Sequence, residues 1–229
     1  MVSDILQSTD CYNPANIAAL ESYVASQASD IKSNPYNFEA NRTLVKLYQF
    51  FPENSKVEYQ LLATLLSLIF GSETDVGAIL CLIPESVKSD SEDFTTVMTA
   101  AENRDSCLFP NFIDAIEALG SSNLSSVASL AKSQSTKDAT RSSMLQTLSL
   151  AYKTISTANV LKQLKLGSAD EIKALAADVV ESAGGSVVTF ADNEENTSRK
   201  KSDTGGQTGS LDYASVRSLI TSKVVATAE

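Results

Sequence analysis

The side chains that most often perform catalysis or bind metals are sparse in this sequence. None of its 229 residues is histidine, so the commonest general base and the commonest metal ligand are both absent. The cysteines lie far apart at Cys11, Cys81 and Cys107, with no Cys-x-x-Cys pair to begin a zinc site. Apolar or aromatic residues flank each one, so we interpret all three as reduced thiols in the core. The sequence predicts no metal site and no cofactor.

Other short motifs that could carry chemistry lack their companions. The glycines of 205–210 are followed by no lysine and stand in no strand-to-helix frame, so a phosphate-binding loop is not indicated. The segments 29–32 and 129–132 match Ser-x-x-Lys, a spacing that helix surfaces produce freely. Glu194 and Glu195 lie in a polar stretch where nothing would desolvate them. We therefore predict no catalytic residues and no enzymatic activity.

Charge and hydropathy limit the partners that the chain could bind. It has 28 acidic and 18 basic residues, a net charge of -10, and should be repelled by phosphate backbones as a whole. The three-residue basic run Arg199, Lys200 and Lys201 is a possible contact to ribosomal RNA or an acidic partner, although a solvated loop tip is the more ordinary reading. The longest apolar run, 61–70, is too short to span a bilayer, and the N-terminus does not resemble a signal peptide. These features predict a cytoplasmic protein with no membrane contact.

Short amphipathic helices follow one another through the first part of the chain. Asn13 and Pro14 have the residue types that begin a helix, and Asn37 is a candidate N-cap for the next one, which Pro52 would stop. Further helices are predicted over 57–70, from an Asp75 cap to Ile83, and through the apolar positions of 94–101 and 112–119. The aromatic residues Tyr48, Phe50 and Phe51 read as core. Because each helix buries only one stripe, stacked helical hairpins are expected.

The last third changes character. Helices are predicted over 137–155, around 160–164 and from a Ser168–Glu171 capping box to near Gly184, and 186–190 reads as a strand because β-branched residues follow a Gly-Gly pair. Helices followed by a strand suit a winged helix-turn-helix. Its third helix would carry Asp170, Glu171, Asp178 and Glu181 against Lys173, which argues against docking in a DNA groove. A polar stretch follows, and Asp212 would cap a final helix.

Four segments resemble a known family. They are YNPANIAALESYVASQA from residue 12, YNFEANRTLVKLYQFFP from residue 36, DSCLFPNFIDAIEAL from residue 105 and LDYASVRSLI from residue 211. Together they are similar to subunit K of the eukaryotic translation initiation factor three complex. The resemblance implies a mainly α fold, with a HEAT-like helical-repeat domain joined to a winged helix of the PCI type with a small β wing. It also implies a non-catalytic scaffold subunit in translation initiation, beside subunit L and indirectly on the small ribosomal subunit.

The expected organisation has four parts. A helical-repeat domain covers 1–134, a winged-helix core 135–190, a mobile polar loop 191–210, and a C-terminal helix and tail 211–229. The second strand of the wing would have to come from the glycine-rich stretch 204–209, which suits a strand poorly. Two alternatives remain open: a small PCI subunit of the proteasome lid or signalosome, and a nucleic-acid-binding winged helix.

Two attachments to a neighbouring subunit are expected. In the strand 186–190 side chains alternate, so Val187 and Thr189 lie on one face and Val188 and Phe190 on the other, beside a sheet edge expected to be open. A partner's strand would dock there. The stripe of Val216, Leu219 and Ile220 on the final helix would enter a shared helical bundle.

Overall fold

The protein is mainly helical with one small sheet, as a computed structural model shows for residues 2–7, 11–175, 178 and 180–197. The twelve α-helices in the described ranges are α1 (Val2–Gln7), α2 (Ile17–Ser29), α3 (Phe38–Phe50), α4 (Val57–Phe70), α5 (Glu73–Leu80), α6 (Glu85–Ser89), α7 (Glu92–Asp105), α8 (Phe109–Leu119), α9 (Ser125–Lys132), α10 (Gln134–Ala151), α11 (Thr157–Leu164) and α12 (Ala169–Leu175). The strands are β1 (Thr154–Ser156), β2 (Val180–Gly184) and β3 (Val187–Phe190). Short 3-10 helices span Pro14–Asn16 and Pro52–Asn54. The basic run at Arg199 and the helix expected after Asp212 lie outside the described residues.

The first hairpin, α2 with α3, forms much as the sequence predicts. The Asn37 side chain caps α3 by accepting a hydrogen bond from the Ala40 amide at 3.0 Å. Asn13 caps the 3-10 helix rather than α2 itself. A buried polar contact then joins the two helices: the Gln27 side chain donates to Asn41 Oδ1 at 2.9 Å and accepts from the Asn37 amide at 2.9 Å. Because both ends of the Gln27 amide are bonded inside the core, this contact fixes how the two helices meet.

Helix α4 is the centre of the N-terminal half. Every residue from Gln60 to Ile69 is buried, so this helix is covered on all sides. It contacts α2, α3, α5, α7, α9 and α10. Ten consecutive buried positions explain why this segment is the most apolar run of the sequence. The stacked hairpins around α4 share one continuous core with the C-terminal elements.

The structure corrects three local expectations in this half. Helix α5 begins after Ser72, which is its N-cap. Asp75 is the third residue of the helix and completes a capping box, because its carboxylate accepts from the Ser72 backbone amide at 3.2 Å. The helix ends at Leu80 instead of Ile83. The cysteines are not core thiols, since Cys81 and Cys107 are exposed and Cys11 is half-buried. Cys81 and Cys107 lie at turns between helices, where an apolar neighbour in sequence does not imply burial.

Two stretches predicted as helix are strands. Helix α10 ends at Ala151, and Ile155 lies in β1. Likewise α12 ends at Leu175, and Val180–Gly184, expected as the end of that helix, forms β2. Both stretches have apolar residues at helical spacing. Their extended form is stabilised by backbone hydrogen bonds to β3, and a prediction from local sequence does not include these bonds. Consequently Asp178 and Glu181 belong to a turn and a strand, not to the third helix.

The sheet is antiparallel in the order β1-β3-β2. Strands β2 and β3 form a hairpin through Gly185 and Ser186, and Gly185 has a positive φ of 70°. A positive φ at the first residue of a two-residue turn suits the right-handed twist of a hairpin and favours glycine. The partner strand of β3 thus precedes it, so the wing needs nothing from residues 204–209.

Candidate interaction surfaces

The sheet has one buried and one exposed face, as the alternation in β3 predicts. Val188 and Phe190 are fully buried, whereas Val187 is 41% exposed and Thr189 is half-buried. The register places Ser156 opposite Val187, and both Thr154 and Ser182 opposite Thr189. Because paired residues share a face, the outer face is a layer of small side chains, with Val187 at the end next to the hairpin turn.

The prediction that β3 has an open edge is wrong. β3 is the central strand and pairs on both sides, with β1 and with β2. The edge strands are instead β1, which has three residues, and β2, whose register shifts between Val180 and Ser182. A very short edge and an irregular edge are both poor templates for a partner's strand. Val188 and Phe190 therefore belong to the domain's own core, and of the four residues expected on this strand Val187 and Thr189 face outward.

Residues 191–197 are held at the end of α10. The side-chain amides of Asn193 and Asn196 both donate to the Ser149 carbonyl oxygen, each at 2.9 Å. Lys153 forms an ion pair with Asp192 and lies 3.8 Å from the Glu181 carboxylate. The two asparagine bonds satisfy the Ser149 carbonyl, which lies in the last turn of α10 and has no partner within the helix. The first seven residues of the predicted mobile loop therefore have specific contacts; the rest of the loop lies outside the described residues.

Polar contacts also cluster where α11 ends, between α10 and α8. Arg141 of α10 donates to the carbonyls of Leu164 at 3.2 Å and Lys165 at 3.4 Å, where α11 ends. Lys165 has a left-handed backbone and forms an ion pair with Asp114 of α8. The guanidinium thus satisfies the carbonyls at the end of α11 while the neighbouring lysine reaches the helical-repeat side.

The second exposed apolar cluster is aromatic and lies on the N-terminal helices. Phe50 is 52% exposed and its ring meets that of Tyr12 edge-to-face, with centroids 5.8 Å apart. The Lys46 ammonium lies 5.2 Å from the Tyr12 ring centroid and 5.7 Å from that of Phe50. Of the aromatic residues read as core, Tyr48 is buried and Phe51 half-buried, but Phe50 points outward. The sequence misses this because Phe50 follows Leu47 at helical spacing.

Helix α2 also carries a buried carboxylate, that of Glu21. Glu21 accepts a hydrogen bond from the Tyr48 hydroxyl at 2.6 Å and an ion-paired one from Lys56 at 2.5 Å. Burial, and then the bond to Glu21, raises the pKa of Tyr48. Both carboxylate oxygens are occupied by these partners. The arrangement is that of a satisfied structural carboxylate, with no oxygen poised for proton transfer.

Within the described ranges, no group of three or more histidine, cysteine, aspartate or glutamate side chains is arranged to hold a metal ion. No helix there is both long and apolar enough to cross a membrane. The outer face of the sheet and the Tyr12–Phe50 cluster are two surfaces in these ranges that expose apolar side chains.

Several curated proteins of one name are similar to this chain. Eukaryotic translation initiation factor 3 subunit K of Bombyx mori is 35% identical over 111 residues, which is 48% of this chain and 49% of the relative. The subunit K proteins of Xenopus laevis, over 116 residues, and Homo sapiens, over 118 residues, are each 32% identical, over 51% of both chains. No protein-family model matches the chain. The chain thus aligns with about half the length of the curated relatives it matches, and over that half the resemblance to subunit K is confirmed.

Proposed function

We propose that the chain is a non-catalytic scaffold subunit of the eukaryotic translation initiation factor 3 complex and acts in the cytoplasm through protein contacts. The single observation that carries this proposal is the consistent similarity to subunit K over about half the chain. Subunit L would be a neighbour, with indirect contact to the small ribosomal subunit. The absence of histidine from the full sequence supports a non-catalytic role, because the commonest general base is missing.

The architecture behind this role is a helical-repeat domain joined to a winged helix. The order α10, β1, α11, α12, β2, β3 supports the second part, because it is helix, strand, two helices and a hairpin on one antiparallel sheet. We place the boundary at residue 134, next to Ser133, whose side chain caps α10. The contact of α11 with α8, which includes the ion pair between Lys165 and Asp114, supports a fixed arrangement of the two domains.

The contact with a neighbouring subunit would use the outer face of the sheet rather than an open strand edge. Val187 and Thr189 lie on that face, and the stripe of Val216, Leu219 and Ile220 is the second proposed attachment. Nucleic-acid binding through α12 is disfavoured by its exposed charges, Asp170 and Glu171 against Lys173. Arg199, Lys200 and Lys201 would make a minor contact to ribosomal RNA or to an acidic partner.

The test is the identity of the complex that the full-length tagged chain joins in cells. Mass spectrometry after purification should find other subunits of initiation factor 3, including subunit L, together with proteins of the small ribosomal subunit. Recovery of proteasome-lid or signalosome subunits instead would replace the proposal with its PCI alternative. A chain recovered alone from a lysate with intact initiation factor would overturn both.

A further inference from the structure

The strongest unexplained feature of the described surface is the cluster of Tyr12, Lys46 and Phe50. Tyr12 is 38% and Phe50 52% exposed, although α3 buries Leu47 and Tyr48 beside them. Isolated exposed apolar residues are ordinary, but two exposed aromatic rings in mutual contact form a patch. Tyrosine and phenylalanine are enriched in protein interfaces, and tyrosine also among the residues that dominate binding energy.

The charge beside the rings is specific. Phe38, Arg42, Lys46 and Phe50 follow at four-residue spacing along α3, so they lie on one stripe of that helix. Arg42 lies 5.6 Å from the Phe38 ring centroid and pairs with the Glu39 carboxylate at 2.5 Å. Lys46 has no carboxylate partner within the described part of the chain; it faces the two rings alone. An unpaired cation next to exposed apolar surface is complemented by a carboxylate beside an apolar side chain.

The ring geometry disfavours a nucleic acid as the occupant. Bases bind by stacking on aromatic faces along a basic groove. Here the two rings stand at 78° to each other, and the Lys46 ammonium already lies over both. A carboxylate on a partner protein pairs with the Lys46 ammonium directly and needs neither a free ring face nor a basic groove.

We propose that the surface of Tyr12, Lys46 and Phe50 docks an acidic segment of a partner protein, in which a carboxylate lies next to an aliphatic or aromatic side chain. The carboxylate pairs with Lys46 and the apolar side chain covers the two rings. This goes beyond the proposed scaffold role, since the surface belongs to α3 and the segment before α2 rather than to the sheet or the C-terminal stripe.

The experiment uses the purified full-length chain and fluorescence polarisation. The probe is a labelled synthetic peptide of about twelve residues that alternates glutamate with leucine and phenylalanine; the same peptide with lysine for glutamate and a labelled uridine-rich RNA are the comparison probes. Lys46→Glu and Phe50→Ala should each weaken acidic-peptide binding about tenfold, the loss typical of truncating a central interface residue. Lys46→Glu should also bind the lysine peptide more tightly than the wild type does.

Two matched variants control for charge and exposure. Lys162→Glu reverses the charge of an exposed lysine on α11, and Leu108→Ala truncates a side chain that is 49% exposed. Both should leave binding unchanged, and circular dichroism should show every variant folded. The proposal is overturned by no binding of the acidic peptide at millimolar concentration, by equal loss in the control variants, or by tighter binding of the RNA than of the acidic peptide. None of these outcomes bears on which complex the chain joins.

Discussion

At the residue scale, Gly71 occupies the most crowded glycine position of the described chain. A Cβ there would lie 2.6 Å from the Ser67 carbonyl oxygen and 2.8 Å from the Asp75 carboxylate. The carbonyl belongs to the last turn of α4 and cannot move without distorting that helix. We expect Gly71→Ala to lower the free energy of unfolding by about 1–3 kcal/mol in urea titrations, the usual cost of overpacking.

Gly77 provides the matched control. It lies inside α5, and a Cβ there would meet no atom within 4 Å. Gly77→Ala should raise the free energy of unfolding by about 0.5–1 kcal/mol, because alanine loses less backbone entropy in a helix. Equal effects of the two substitutions would contradict the crowding at Gly71.

Two tyrosines predict an alkaline limit of stability. Burial, followed by hydrogen bonds to Asp75 and Glu21, raises the pKa of Tyr36 and Tyr48 above the ordinary value of 10.0. Above about pH 10 the unfolded chain loses these protons while the folded chain keeps them, so the unfolded state is favoured. The tyrosine contribution is thus complete below about pH 10 and is lost as the pH rises further. Urea titrations between about pH 9 and pH 11 should show the free energy of unfolding fall.

Phenylalanine variants separate this effect from lysine titration. Tyr36→Phe and Tyr48→Phe together should reduce the fall, although Tyr48→Phe should cost about 1–3 kcal/mol at neutral pH because Glu21 loses a buried donor. Tyr152→Phe removes an exposed hydroxyl and serves as the control. An unchanged alkaline slope in the double variant would show that other groups cause the fall.

At the element scale, the β2–β3 hairpin depends on its turn. Gly185 has a φ of 70° with no atom near its missing Cβ, so the cost of a side chain there is conformational rather than steric. Gly185→Ala should destabilise the hairpin by about 1–2 kcal/mol. Hydrogen exchange should show faster exchange in Val187–Phe190 with little change in α4. Ser186→Ala, in the same turn, should change neither; a similar loss with this control would locate the sensitivity in turn contacts instead.

At the scale of the whole molecule, the prediction concerns assembly. Leu219 and Ile220 lie outside the described residues, and we propose that their stripe docks on a neighbouring subunit. Replacing both by Asp should lower incorporation into the complex about tenfold, the loss expected for central interface residues, while the isolated chain keeps its thermal transition. Val187→Asp, on the outer face of the sheet, tests the other attachment separately. Unfolding of the Leu219/Ile220 variant would place that stripe in the chain's own core.

The sequence alone determined those features that depend on neighbouring residues. The Asn37 cap, helix α4 with its Gly71 end, and the alternation of buried and exposed residues in β3 follow from local patterns. The mainly helical class follows likewise, because periodic apolar spacing repeats along most of the chain. The similarity to subunit K, visible in four segments, is confirmed over about half the chain.

Tertiary structure decided which segments became strands and which aromatic rings stayed outside. Ile155 and Val180 lie in stretches that suit a helix, and only pairing with a distant strand, β3, makes them extended. The same pairing makes β3 a central strand and removes the edge that its sequence suggested. Phe50 has the spacing of a core residue, yet no element among the described residues buries it. Strand pairing and burial depend on contacts between residues far apart in sequence, which a local pattern does not encode.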